Sequence, residues 1–138
     1  AFADYHLTAF SETLGFKALM AEDITAAEAT FASRSIKNMD YFEANNLCVA
    51  QIMLEEFDSA IASCSSALDK AEYSSELSIE KEKIALAAIY SNLAVAKAMI
   101  GDTAGANVDL EMALTLNKRD DNANINYDLI STNLLAGN

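Results

Sequence analysis

Apolar and small residues recur along the chain at intervals of three and four, and one arrangement of them occurs three times. Its anchor is a leucine followed by a small residue, as Leu14-Gly15, Leu47-Cys48 and Leu93-Ala94. Ten residues after the leucines stand Ile24, Phe57 and Thr103, and three further on an alanine each time, Ala27, Ala60 and Ala106. Four beyond those lie Phe31, Cys64 and Leu110, followed after three more by Arg34, Ala67 and Ala113. Steps of three and four trace one face of a helix, so each copy predicts two helices joined by a tight turn, with small side chains where the backbones approach. Ala60 and Ala106 mark the expected closest contacts. Turn signals agree: Glu22-Asp23, Glu55-Glu56 and Gly101-Asp102 precede the second helices, placing acidic residues where they suit helix starts.

These residues resemble the tetratricopeptide repeat (TPR) family, whose unit pairs two helices around a leucine-small dipeptide, an aromatic residue and spaced alanines. The resemblance covers roughly residues 8–120 and implies an all-α, right-handed α-solenoid of three TPR-like helical hairpins plus a C-terminal solvating helix. The repeats would span about 8–40, 41–74 and 87–120, with a helical insertion at 75–86 and a capping helix at 121–135, in one domain over 1–138. The chain departs from the family pattern at several places: tryptophan and proline are absent, Arg34 replaces an alanine and Thr103 an aromatic. The insertion contains no helix breaker, and Ser74 or Ser75 is positioned to cap a long helix running to about Ile100. In the last segment, Tyr127 falls where a further anchor leucine is due.

Composition supports helices: 26 of 138 residues are alanine, and proline is absent. A formal charge of −12 opposes binding to nucleic acid or an anionic lipid surface, and the longest apolar run, Ile84 to Tyr90, is far short of the roughly 20 residues of a membrane span. The start, Ala1-Phe2-Ala3 before Asp4, reads like the end of a secretory signal and implies export; excision of a methionine or a cut boundary, with a cytoplasmic protein, is the competing reading.

No catalytic constellation emerges, which predicts a non-enzymatic protein without cofactor or metal. The single histidine, His6, excludes two-histidine metal motifs and lacks a nucleophile in a recognisable elbow; no glycine-rich phosphate loop occurs. Cys48 and Cys64 both fall on inward positions of the second hairpin, either as two buried thiols or as a disulfide tying its helices.

Function then rests on a surface. The resemblance implies a concave groove lined by the first helix of each copy, at Phe16, Leu19, Met20, Phe42, Asn45, Val49, Ile52, Met53, Ser91, Val95 and Met99. Met20, Met53 and Met99 form a ladder at equivalent positions, and flexible thioethers suit recognition of apolar segments. Asn46 and Asn92 precede two of the anchor leucines, but Glu12, Phe16 and Ala88 stand where a basic clamp for a carboxylate tail needs donors. The expected partner is an apolar or amphipathic segment of a protein or peptide. The alternative is a structural homo-oligomer, such as a homo-dimer, that buries its own groove.

Overall fold

The computed structural model describes residues 4–72, 74 and 77–135, and every regular element among them is helical. In chain order these are α1 (Phe16–Met20), α2 (Ile24–Ala32), a 3-10 turn (Ile36–Asn38), α3 (Tyr41–Met53), α4 (Phe57–Glu72), α5 (Ile79–Met99), α6 (Thr103–Leu116) and α7 (Asp121–Leu135). None is long and apolar enough to cross a membrane.

The three helix-to-helix turns share one solution. Glu22, Glu55 and Gly101, each eight residues past an anchor leucine, adopt left-handed backbone with φ of 54°, 62° and 91°. The next residue then closes a six-residue bond back into the ending helix: Asp23 N–H to Ala18 O, Glu56 N–H to Gln51 O, and Asp102 N–H to Lys97 O. That is the Schellman arrangement, which satisfies carbonyls the helix leaves open. Asp23 and Asp102 go on to cap the following helix through Ala26 N–H and Gly105 N–H, while Asp40 and Glu43 form a reciprocal capping box at α3.

Each helix from α3 to α7 packs on the next, and the odd-numbered helices also touch, α1 on α3, α3 on α5 and α5 on α7. The first helices therefore share one face of the molecule. Ala60, Ala106, Ala67 and Ala113 are fully buried between the layers. Cys48 on α3 and Cys64 on α4 are both fully buried and form a disulfide, resolving the two readings of that pair in favour of the bond.

Two expectations change. The cap of the long helix is Ser78, whose side chain accepts from Lys81 N–H, so α5 starts at Ile79 rather than near Ser74 or Ser75; Ser75 lies outside the described residues. The first hairpin is also shorter than a pattern beginning at Thr8 suggests. Gly15, at φ 84°, begins a helix of only five residues, and a Cβ on it would approach the Phe31 ring to 2.7 Å. Everything before it follows another path.

Candidate interaction groove and its resident segment

Residues 5–10 carry no regular secondary structure and lie across the face shared by α3, α5 and α7. Alternation explains why they are not helical: Tyr5, Leu7 and Ala9 alternate with His6 and Thr8, the period of an extended chain. Tyr5 is buried and His6 exposed, while Leu7, Ala9 and Phe10 are half-buried against the cores.

Three asparagines hold this strap by its backbone. Asn126 on α7 accepts from His6 N–H at 2.8 Å and donates to His6 O at 2.8 Å. Asn92 on α5 accepts from Thr8 N–H at 2.9 Å and donates to Thr8 O at 2.8 Å. Asn46 on α3 accepts from Phe10 N–H at 2.8 Å and donates to Phe10 O at 3.0 Å, and its amide also reaches Leu14 O at 3.1 Å. Each side-chain amide thus clasps one residue as a neighbouring strand clasps its partner in the hydrogen-bonded pair of an antiparallel ladder. The clasped residues 10, 8 and 6 step by two while the asparagines step by one helical hairpin. All three asparagines occupy the same register position, immediately before Leu47, Leu93 and Tyr127.

A second row supports the first. Two residues before the anchors, Asn45 accepts from Asn92 Nδ2 at 2.8 Å and Ser91 Oγ accepts from Asn126 Nδ2 at 3.0 Å, so each copy orients the clamp of the next. Asn45 also donates to Thr8 O at 3.0 Å. All five of these polar side chains are fully buried, which such groups tolerate only when hydrogen-bonded. Asn122 adds bonds to Leu7 O and, at 2.7 Å, to Thr8 Oγ1. At the far end the Asn133 amide donates to the Tyr5 hydroxyl at 3.3 Å; burial pushes that phenol's pKa up, and the hydrogen bond partly opposes it.

The expected groove residues divide accordingly. Asn45 and Ser91 serve the clamp. Phe42 stacks on Tyr41 and meets the Phe10 ring in a T-shaped pair, centroids 5.0 Å apart. Leu19, Val49, Ile52 and Val95 are buried in the core; Ile52 and Val95 are wholly inaccessible, while Leu19 and Val49 line a cleft beside the strap. Met99 is half-buried on the main core, whereas Met20 and Met53 flank a cleft of about 290 Å³ beside the strap. Phe16 faces the other way, into an open cavity at the α1–α2 end. The methionine ladder is therefore split, and its open part borders the strap. Ala9, inside the first repeat as bounded from the sequence, lies in the strap itself.

No family model, curated protein or solved structure matches this chain. Chemistry must therefore be read from the residues themselves. Among the described residues, no group of three or more His, Cys, Asp or Glu side chains is placed to hold a metal ion. A partly buried ion pair, Lys97 Nζ to Asp109 Oδ2 at 2.8 Å, joins α5 to α6. Burial pushes the Asp109 carboxyl above its ordinary pKa, Lys97 opposes this, and Asp102 adds to it.

Proposed function

We propose that this chain is a non-catalytic protein-interaction module, a right-handed stack of TPR-like hairpins whose groove holds a polypeptide segment in extended form. The observation that carries the reading is the clamp, in which three register-equivalent asparagines each clasp the N–H and C=O of an alternate residue. Such bonds recognise polypeptide backbone, as strand addition does, and leave side-chain pockets to set preference. The spacing of 34 residues between Asn92 and Asn126 and the shared left-handed turn residues support the repeat reading. The resident segment sets the polarity: an occupant runs from α7 through α5 to α3, with apolar side chains at alternate positions. A charge of −12 favours partners with basic flanks and opposes nucleic acid or anionic membranes. The Cys48–Cys64 disulfide suits an oxidising compartment.

The test uses the full chain with its own strap weakened by Leu7→Asp and Phe10→Asp. A labelled peptide with the sequence of residues 4–12 should then bind saturably by fluorescence anisotropy, with little dependence on salt because burial and neutral hydrogen bonds hold it. Adding Asn92→Ala should abolish binding. A helical, strap-weakened chain that ignores the peptide up to millimolar concentration would sink the groove reading.

A further inference from the structure

The strap and its groove are separate parts joined only through residues 11–15. The clamp asparagines hold backbone atoms that any copy of residues 5–10 presents identically, so a strap from another molecule makes the same bonds at residues 6, 8 and 10, and only the Asn46 bond to Leu14 O lies in the joint. The joint is built to change conformation. Glu12 sits in left-handed backbone at φ 57°, which costs a non-glycine residue energy that straightening releases, and Gly15 at φ 84° permits a wide range of directions. Five extended residues reach roughly 17 Å, enough to carry the strap off its own frame and onto a neighbour placed at the same end.

That end of the molecule is also open. An open cavity of about 870 Å³ is formed there between the joint, at residues 11–13 and 15, and the α1–α2 residues Phe16, Lys17, Ala18, Ala21 and Asp23. End faces of helical repeat stacks are ordinarily polar, because nothing packs on them. Here Phe16, Ala18, Ala21 and Ala26 place apolar side chains among the polar Lys17, Asp23 and Thr30, and the strap leaves the frame through this wall. A twofold axis there would set the same surface of two copies face to face.

We propose that residues 5–10 exchange between two copies of this chain, each strap seating in the other's groove, with the α1–α2 ends facing one another. The inference rests on the groove reading above. Since the inter-strap bonds are the same in both forms, the balance is set by concentration against the roughly millimolar effective concentration of a tethered strap, together with the released turn and the covered end wall. The monomer dominates when dilute and the exchanged dimer when concentrated.

Two full-length variants separate the possibilities. The first carries Leu7→Asp and Phe10→Asp and has a groove without a competent strap; the second carries Asn92→Ala and Asn126→Ala and has a strap without a competent clamp. Alone, each should run as the 14.8 kDa monomer in size-exclusion chromatography with light scattering. Mixed at equal, high micromolar concentration, they should form a species of twice that mass, and omitting either variant should remove it. If the second variant loses its helical circular dichroism, Asn126→Ala alone serves as strap donor. A mixture that remains monomeric while the first variant binds the free 4–12 peptide overturns exchange and leaves the groove reading standing. A mixture that remains monomeric with no peptide binding overturns both.

Discussion

Asn92→Ala removes the central clasp, and its cost can be worked bond by bond. The wild-type side chain accepts from Thr8 N–H at 2.9 Å and donates to Thr8 O and to Asn45 Oδ1, both at 2.8 Å. Thr8 O keeps the Asn45 amide at 3.0 Å, so the groups left short are Thr8 N–H and Asn45 Oδ1. A buried polar group deprived of its partner costs about 1–3 kcal/mol, and the part-buried Thr8 N–H is open to some water, which gives about 2–4 kcal/mol in total. A domain with a typical reserve of about 5–15 kcal/mol should register this clearly. Urea unfolding followed by helical circular dichroism measures it, and amide hydrogen exchange at Thr8 localises it. Asn107→Ala is the control: that half-buried asparagine bonds Glu111 one turn along α6, outside the clamp, and its loss should stay within about 0.5 kcal/mol. Asn92→Asp sharpens the case, because a carboxylate can still accept from Thr8 N–H but confronts two oxygens it cannot donate to. It should be more destabilising at pH 7 than at pH 4, where a protonated acid can donate once. Should Asn92→Ala cost no more than the Asn107 control, with exchange at Thr8 unaltered, the clamp does not hold the strap as argued.

Other consequences are simpler to state. Replacing both Cys48 and Cys64 by alanine opens a loop defined by a sequence separation of 16 and should lower stability by about 3 kcal/mol, seen as a loss in urea midpoint that reducing agent reproduces in the parent chain. At the turns, Glu22→Gly relieves a left-handed non-glycine residue and should raise stability by about 0.5–1 kcal/mol, whereas Gly101→Ala should lower it by about 1 kcal/mol although its new Cβ meets nothing within 4 Å; thermal melts of the pair separate backbone strain from packing. The Asp109 carboxyl, its pKa raised by burial, binds its proton more readily folded than unfolded, so its contribution falls as pH rises from about 3.9 towards the folded value. Urea titrations from pH 4 to 7 should therefore show Asp109→Asn gaining on the wild type as pH rises, and a constant difference would refute the assignment.

Helices were legible because capping and turn chemistry coincided with their boundaries: Asp23 and Asp102 start helices, and Gly101 ends one, where local physics alone demands such residues. Cys48 and Cys64 were legible as neighbours because each lies on the inward face of its helix. The strap was not, because extending the first copy back to Thr8 absorbed it into a helix. Its signals were present in weaker form. Tyr5, Leu7 and Ala9 alternate with polar residues, and Asn-Leu, Asn-Leu and Asn-Tyr recur at one register position although asparagine is a poor resident of helix interiors. Recognising those asparagines as a set requires knowing that an extended segment crosses them, which is a tertiary fact. The apolar ladder was over-read for the same reason: spacing identifies a helix face, but whether Ile52 or Val95 on that face meets solvent depends on what is laid over it.

The strap also bears on how the chain comes to be folded as it is made. A stack of hairpins in which each packs only on its neighbours can form progressively from one end, and can open from either end independently. Here His6 bonds Asn126 across 120 positions of sequence and Thr8 bonds Asn92 across 84. Residues 5–10 leave the ribosome ahead of every helix they bind, and at about 5–20 residues per second their last clasp is not synthesised until roughly 6–24 s later. Through that interval His6 has its backbone groups unclaimed, while Phe10 and Thr8 wait for partners 36 and 84 positions on, and full closure of the clamp becomes the final event of assembly. Once closed, neither end of the stack can open without undoing the other, so a molecule assembled piecewise should come apart as a whole.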